Sequence, residues 1–208
     1  MKMNNKMLTV VFLATALLAG CRTARVEDAS APMEEEDVLM SRFEQQMSTA
    51  KAYEKSNQWE QAYLLYRDLQ TDTDDPTVHR SLQLKAANAL FMAGRYPAAL
   101  AALSPMPELP GSLHDAKKLA LAARILQKMD GKPEHVEALL EIALDNSFEG
   151  RDADMFRAAG YAELGRVYFS NSKNARAAKC FEYASELFEA LHDEEQAETC
   201  RHIAEYLR

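Results

Sequence analysis

Residues Tyr161 to Ala184, YAELGRVYFSNSKNARAAKCFEYA, constrain the fold of this chain more than any other stretch. Tyr161, Leu164, Gly165 and Tyr168 recur at the spacing of one helix face, and after a turn Ala177, Phe181 and Ala184 do so again. The pattern predicts a helix, a turn and a second helix whose small residue faces the first. Gly165 and Ala177 fall where two helix backbones must approach closely, with large side chains on either side to fill the remaining space.

The same order recurs upstream. Ala50 and Tyr53, then Ala62, Tyr66 and Leu69, make a first unit that breaks at Thr71–Pro76, where the proline cannot continue a helix. A second unit runs from His79 to Leu103 through Ala87, Leu90, Gly94, Tyr96 and Ala99, with Pro97 placed to open its second helix. The connector SPMPELPGS that follows holds three prolines and a glycine, and is predicted to be rigid and nonhelical. A third unit is the most degenerate: Leu119, Ala123 and Leu126 form its first face, Asp130–Pro133 its turn, and Val136, Leu140 and Ala143 its second face. The equivalent second-helix positions Ala62, Ala99, Val136 and Ala177 are spaced 37, 37 and 41 residues apart. After Ala184 the helix is predicted to reach Leu191, and Glu194–Leu207 forms a last amphipathic helix. That helix either caps the stack or completes a fifth, overlapping unit.

These residues resemble the tetratricopeptide repeat, whose signature is an aromatic, Leu-Gly and Tyr on one helix followed by Ala-x3-Phe on the next. The resemblance implies an all-α superhelix of helical hairpins, about four repeats with a terminal capping helix over residues 38–208. Composition agrees: 7 Gly and 7 Pro in 208 residues favour helix, and runs of Val, Ile and Thr for strands are nearly absent. A net charge of −8 argues against nucleic-acid binding, which needs a cationic surplus to neutralise phosphates.

The N-terminus carries a different signal. Lys2 and Lys6 precede the apolar run Met7–Leu18, which is too short to span a bilayer, and small residues follow it. The ending Leu18-Ala19-Gly20-Cys21 resembles a bacterial lipobox. That resemblance implies removal of residues 1–20 and acylation of Cys21, the covalent lipid being the only added group expected. The mature chain would hold 22 basic and 32 acidic residues, net −10. Residues 21–37 are acidic and lack apolar periodicity, so they read as a tether reaching roughly 20 to 25 Å as a flexible coil. Arg22, where the sorting family typically has Asp for inner-membrane retention, implies the periplasmic face of an outer membrane.

The chain shows no Gly-rich phosphate loop, nucleophile elbow or Ser, His, Asp arrangement, so no catalytic residue is expected. Its five histidines lack metal spacing, and no metal or other cofactor is expected. Cys180, His192, Cys200 and His202 could gather near the C-terminus, which leaves a small-molecule or metal-binding domain as the rival reading. Cys180 and Cys200 lie on consecutive antiparallel helices, so they either form a disulfide or remain buried and reduced.

Residues one beyond the small packing position lie about 100° round each first helix. They are Lys51, Asn88, Arg124 and Arg166, and three residues further stand Glu54, Phe91, Gln127 and Phe169. The resemblance makes this face a concave groove. Lys51, Asn88, Phe91, Arg124, Arg166 and Phe169 are thus the expected partner-binding residues, unless they only form a solvated helix face. The expected function is that of a noncatalytic envelope adaptor holding an acidic or aromatic segment of another envelope protein. Secretin pilotins and outer-membrane assembly accessory factors are analogies at the level of fold and anchor.

Overall fold

A computed structural model describes the backbone of residues 35–208 and the side chains of residues 42–208. The expected signal segment, Cys21 and tether residues up to 34 lie outside the described residues. The chain divides into two compact units, Met1–Arg42 and Phe43–Arg208. Of the first, only the helical backbone of residues 35–42 is described; the second carries the repeats.

The described residues form nine helices and no strand. They are α1 (Glu35–Lys55), α2 (Trp59–Thr71), α3 (Pro76–Met92), α4 (Tyr96–Ala102), α5 (Leu113–Lys128), α6 (Pro133–Leu144), α7 (Arg151–Ser170), α8 (Asn174–Ala190) and α9 (Glu194–Tyr206).

The turns show why these pieces pair. Asn57, Gly94, Asp130, Ser172 and His192 have φ of 56°, 74°, 54°, 60° and 63°. One residue after each, an amide N–H reaches back five residues: Gln58 to Tyr53, Arg95 to Leu90, Gly131 to Leu126, Lys173 to Tyr168 and Asp193 to Phe188, all at 2.8–2.9 Å. This is the Schellman closure, which satisfies an orphan carbonyl at a helix C-terminus and reverses the chain. In the third hairpin Lys132 is inserted after the closure, which accounts for the longer turn there.

The turn at His192 repeats the geometry of the turns inside the hairpins. Counted from it, Ser185, Phe188, Ala197 and Ala204 take the places of Gly165, Tyr168, Ala177 and Ala184, and all but Phe188 are buried. Helix α8 therefore serves twice, as second helix of the fourth hairpin and first helix of an overlapping fifth. Arg201 stands where a bulky apolar residue would be, and pairs with Glu189 at the surface. The outward residues of α9 are charged or polar, so the same helix also ends the stack.

Hairpins bury their faces on one another. Ala50, Ala62, Tyr66 and Leu69 of the first pack with Leu82, Ala86 and Ala89 of α3. Ala87, Leu90 and Phe91 pack with Ala99, Leu103 and Ile125. The largest cluster runs from Val136 and Leu140 through Leu164, Tyr168 and Phe181 to Cys200. The Ser104–Ser112 connector is fixed from below by buried Lys118, which donates to the Pro105 carbonyl at 2.8 Å, and by Gln83 Nε2, which donates to the Ala102 and Ser104 carbonyls at 2.9 Å.

Glu137 is an acid of the second helix of the third hairpin that does not face solvent. It is buried, accepting from Asn171 Nδ2 at 2.7 Å and pairing with Lys173 Nζ at 2.6 Å, so it locks α6 to the turn of the next hairpin. Burial alone would raise its pKa, but the hydrogen bonds from Lys173 and Asn171 outweigh burial and hold it below the usual value.

Candidate functional site

The first helices of successive hairpins, α3, α5 and α7, stand side by side. Between them lies a cleft of about 610 Å³, which also takes in Glu54 of α1, Phe188 of α8 and Gln196 of α9. This volume is in the range of sites that hold a short segment or a small molecule.

Of the six residues expected at a groove, the structure brings three together. Asn88, Arg124 and Arg166 occupy the same turn of α3, α5 and α7, and all three line the cleft. Lys51, at the same turn of α1, is exposed but is not part of the lining. Phe91 corrects the expectation of an exposed aromatic: it is only 8% exposed, packs on Tyr96 with ring centroids 5.7 Å apart, and lies beneath the Arg124 guanidinium at 4.9 Å. Its role is to hold Arg124 by a cation–π contact. Phe169 is 52% exposed yet stands outside the cleft lining.

Phe91 and Phe169 each stand one residue from the end of their helix, Phe91 turned into the core against Tyr96 and Phe169 towards solvent. The stripe continues the other way. Lys85 lies three residues before Asn88, Lys117 seven before Arg124, and Glu163 three before Arg166, and all line the cleft. Extending the helical period backwards would have reached them. Of the aromatics that do line it, Phe156 has no counterpart in the repeat pattern, and Phe188 takes the Tyr168 place only in the overlapping fifth hairpin.

The charges of the cleft are unevenly paired. Arg166 Nη1 contacts Glu163 Oε2 at 2.7 Å. Lys85, Lys117 and Arg124 make no ion pair among the described residues. Lys85 Nζ stands 5.8 Å from the Tyr66 ring, whose buried hydroxyl has no hydrogen-bond partner among the described residues; burial, then the nearby Glu54 carboxylate, push that phenol well above its ordinary value. Gly160 lines the cleft, and a Cβ there would lie 2.5 Å from Leu144 Cδ2, so α7 rests directly on α6.

The alternative C-terminal cluster does not assemble. Cys180 and Cys200 are buried and free, whereas His192 and His202 are exposed. Burial, followed by the Glu141 charge, raises the Cys180 thiol to about 11, and burial raises Cys200 as well. Among the described residues no three His, Cys, Asp or Glu side chains are grouped to hold a metal ion.

No family model and no curated protein matches this chain. Among solved structures, it is similar to BtubC (BKLC) from P. vanneervenii, with 22% identity and a TM-score of 0.57 over 79% of each chain. It is also similar to the nearly identical TPR-like repeats of a putative kinesin light chain from Podosopora anserina, at 16% identity and a TM-score of 0.51, covering 80% of this chain and 95% of that one. These likenesses and the hairpin order make the fold an all-α, tetratricopeptide-like superhelix.

Proposed function

We propose that this protein is a noncatalytic adaptor, anchored through lipid on Cys21 at the periplasmic face of an outer membrane, whose cleft holds a segment of another envelope protein. The observation that carries the binding role is the placement of Asn88, Arg124 and Arg166 at one turn of three successive first helices, all on one cleft. Stacked hairpins present such a surface for extended partners. Its cations would steer an acidic segment, and its apolar floor would retain it. The anchor rests on the Leu18–Cys21 motif after an apolar run.

Crosslinking and recovery from bacterial envelopes tests the reading, comparing the unaltered chain with an Arg124→Glu, Arg166→Glu variant. Loss of a defined partner from the variant is expected. Recovery of identical partners by both would overturn the cleft as the binding surface.

A further inference from the structure

The two ends of the cleft differ in chemistry. At the α3–α5 end stand three cations, Lys85, Lys117 and Arg124, against one carboxylate, Glu54. Arg124 is held in place from below by Phe91, so its charge is presented in a fixed position. At the α7–α8 end the only lining cation, Arg166, is neutralised by Glu163. That end instead offers the half-buried rings of Phe156 and Phe188 beside the small, uncharged residues Ala159, Gly160 and Ala162.

We propose that the cleft reads a bipartite segment in one direction, with acidic residues over Lys85, Lys117 and Arg124 and a bulky apolar side chain over Phe156 and Phe188. This rests on the adaptor reading and specifies its partner. Charge complementarity fixes the acidic half. An unpaired carboxylate on the α7–α8 end would meet no free cation, and an apolar side chain among three cations would desolvate them without return. Phe156 lies ten residues of helix, about 15 Å, before the turn that Arg166 shares with Arg124, a distance that an extended segment covers in roughly five residues.

Selection of random twelve-residue peptides displayed on phage against the purified chain tests this. The expected outcome is enrichment of peptides with two or more Asp or Glu and, four to six residues away, Phe, Trp or Leu, always in one order. Against a Lys117→Glu, Arg124→Glu variant the acidic preference should fall at least tenfold while the apolar preference persists. Circular dichroism shows whether the changes at half-buried Lys117 and exposed Arg124 leave the helices intact, and the single variant Lys117→Gln provides a milder second reading. Peptides lacking acids, acids and apolar residues in either order equally, acidic preference unchanged in both variants, or no enrichment at all would each overturn the bipartite segment. The adaptor reading fails separately, when envelope crosslinking finds no partner dependent on Arg124 and Arg166.

Discussion

Gly165 of α7 and Phe181 of α8 occupy one space: a Cβ on Gly165 would lie 2.9 Å from Phe181 Cε2 and 3.1 Å from two further ring atoms. The ring fills the gap that the missing side chain leaves, which is why the aromatic and the glycine occur together in the fourth hairpin. Both residues are buried.

Gly165→Ala should therefore destabilise the protein by about 1–3 kcal/mol, the usual cost of overpacking, even though alanine is the better helix former. Chemical denaturation measures it. A shift in the other direction would mean that the Phe181 ring moves aside at no cost.

This pair was readable from sequence because close approach and a compensating ring leave a mark in residue size. The same holds for Ala62, Ala99 and Ala177, all fully buried. The cleft was less legible. The shared helix face of Arg124 and Arg166 followed from helical period, and its reading as a groove from the repeat resemblance; the burial of Phe91 followed from neither, because it depends on packing against Tyr96 of the next helix. Glu137 escaped notice because its partners, Asn171 and Lys173, are more than thirty residues away in a neighbouring hairpin. The fifth hairpin was obscured by Arg201 and by α8 being shared, which shortens the interval between equivalent positions.

Ser172 adopts φ of 60° at the turn between α7 and α8. Ser172→Gly should stabilise by about 0.5 kcal/mol, the relief of left-handed strain exceeding the entropy cost of glycine. Ser172→Val should destabilise by more than about 1 kcal/mol, since a β-branched residue resists that conformation. Thermal melting of the two variants checks the opposite signs.

Glu137 gives a pH signature. Its folded pKa lies below the ordinary value near 4.5, so the unfolded chain binds the proton more readily. Its contribution is complete above about pH 4.3 and is lost as pH falls through the folded value. Glu137→Gln should lower stability at neutral pH by about 1–3 kcal/mol and flatten the decline below pH 4.5. Urea midpoints from pH 7 to pH 3 give both quantities.

Cys180 is 7% exposed and its thiol is pushed up to about 11, chiefly by burial. The Cys180 and Cys200 thiols of the folded chain should react with a disulfide reagent at pH 8 at least a hundredfold more slowly than in denaturant, since thiolate and access are both withheld. Rapid native labelling would place them at the surface instead.

The central claim is that partners meet the face made by first helices. A photoreactive benzoylphenylalanine placed at Asn88, in the cleft, and separately at Glu186, exposed on α8, measures this directly in living cells. Adducts with another envelope protein from position 88 and none from position 186 are predicted. Adducts from position 186 with none from position 88 would contradict the account.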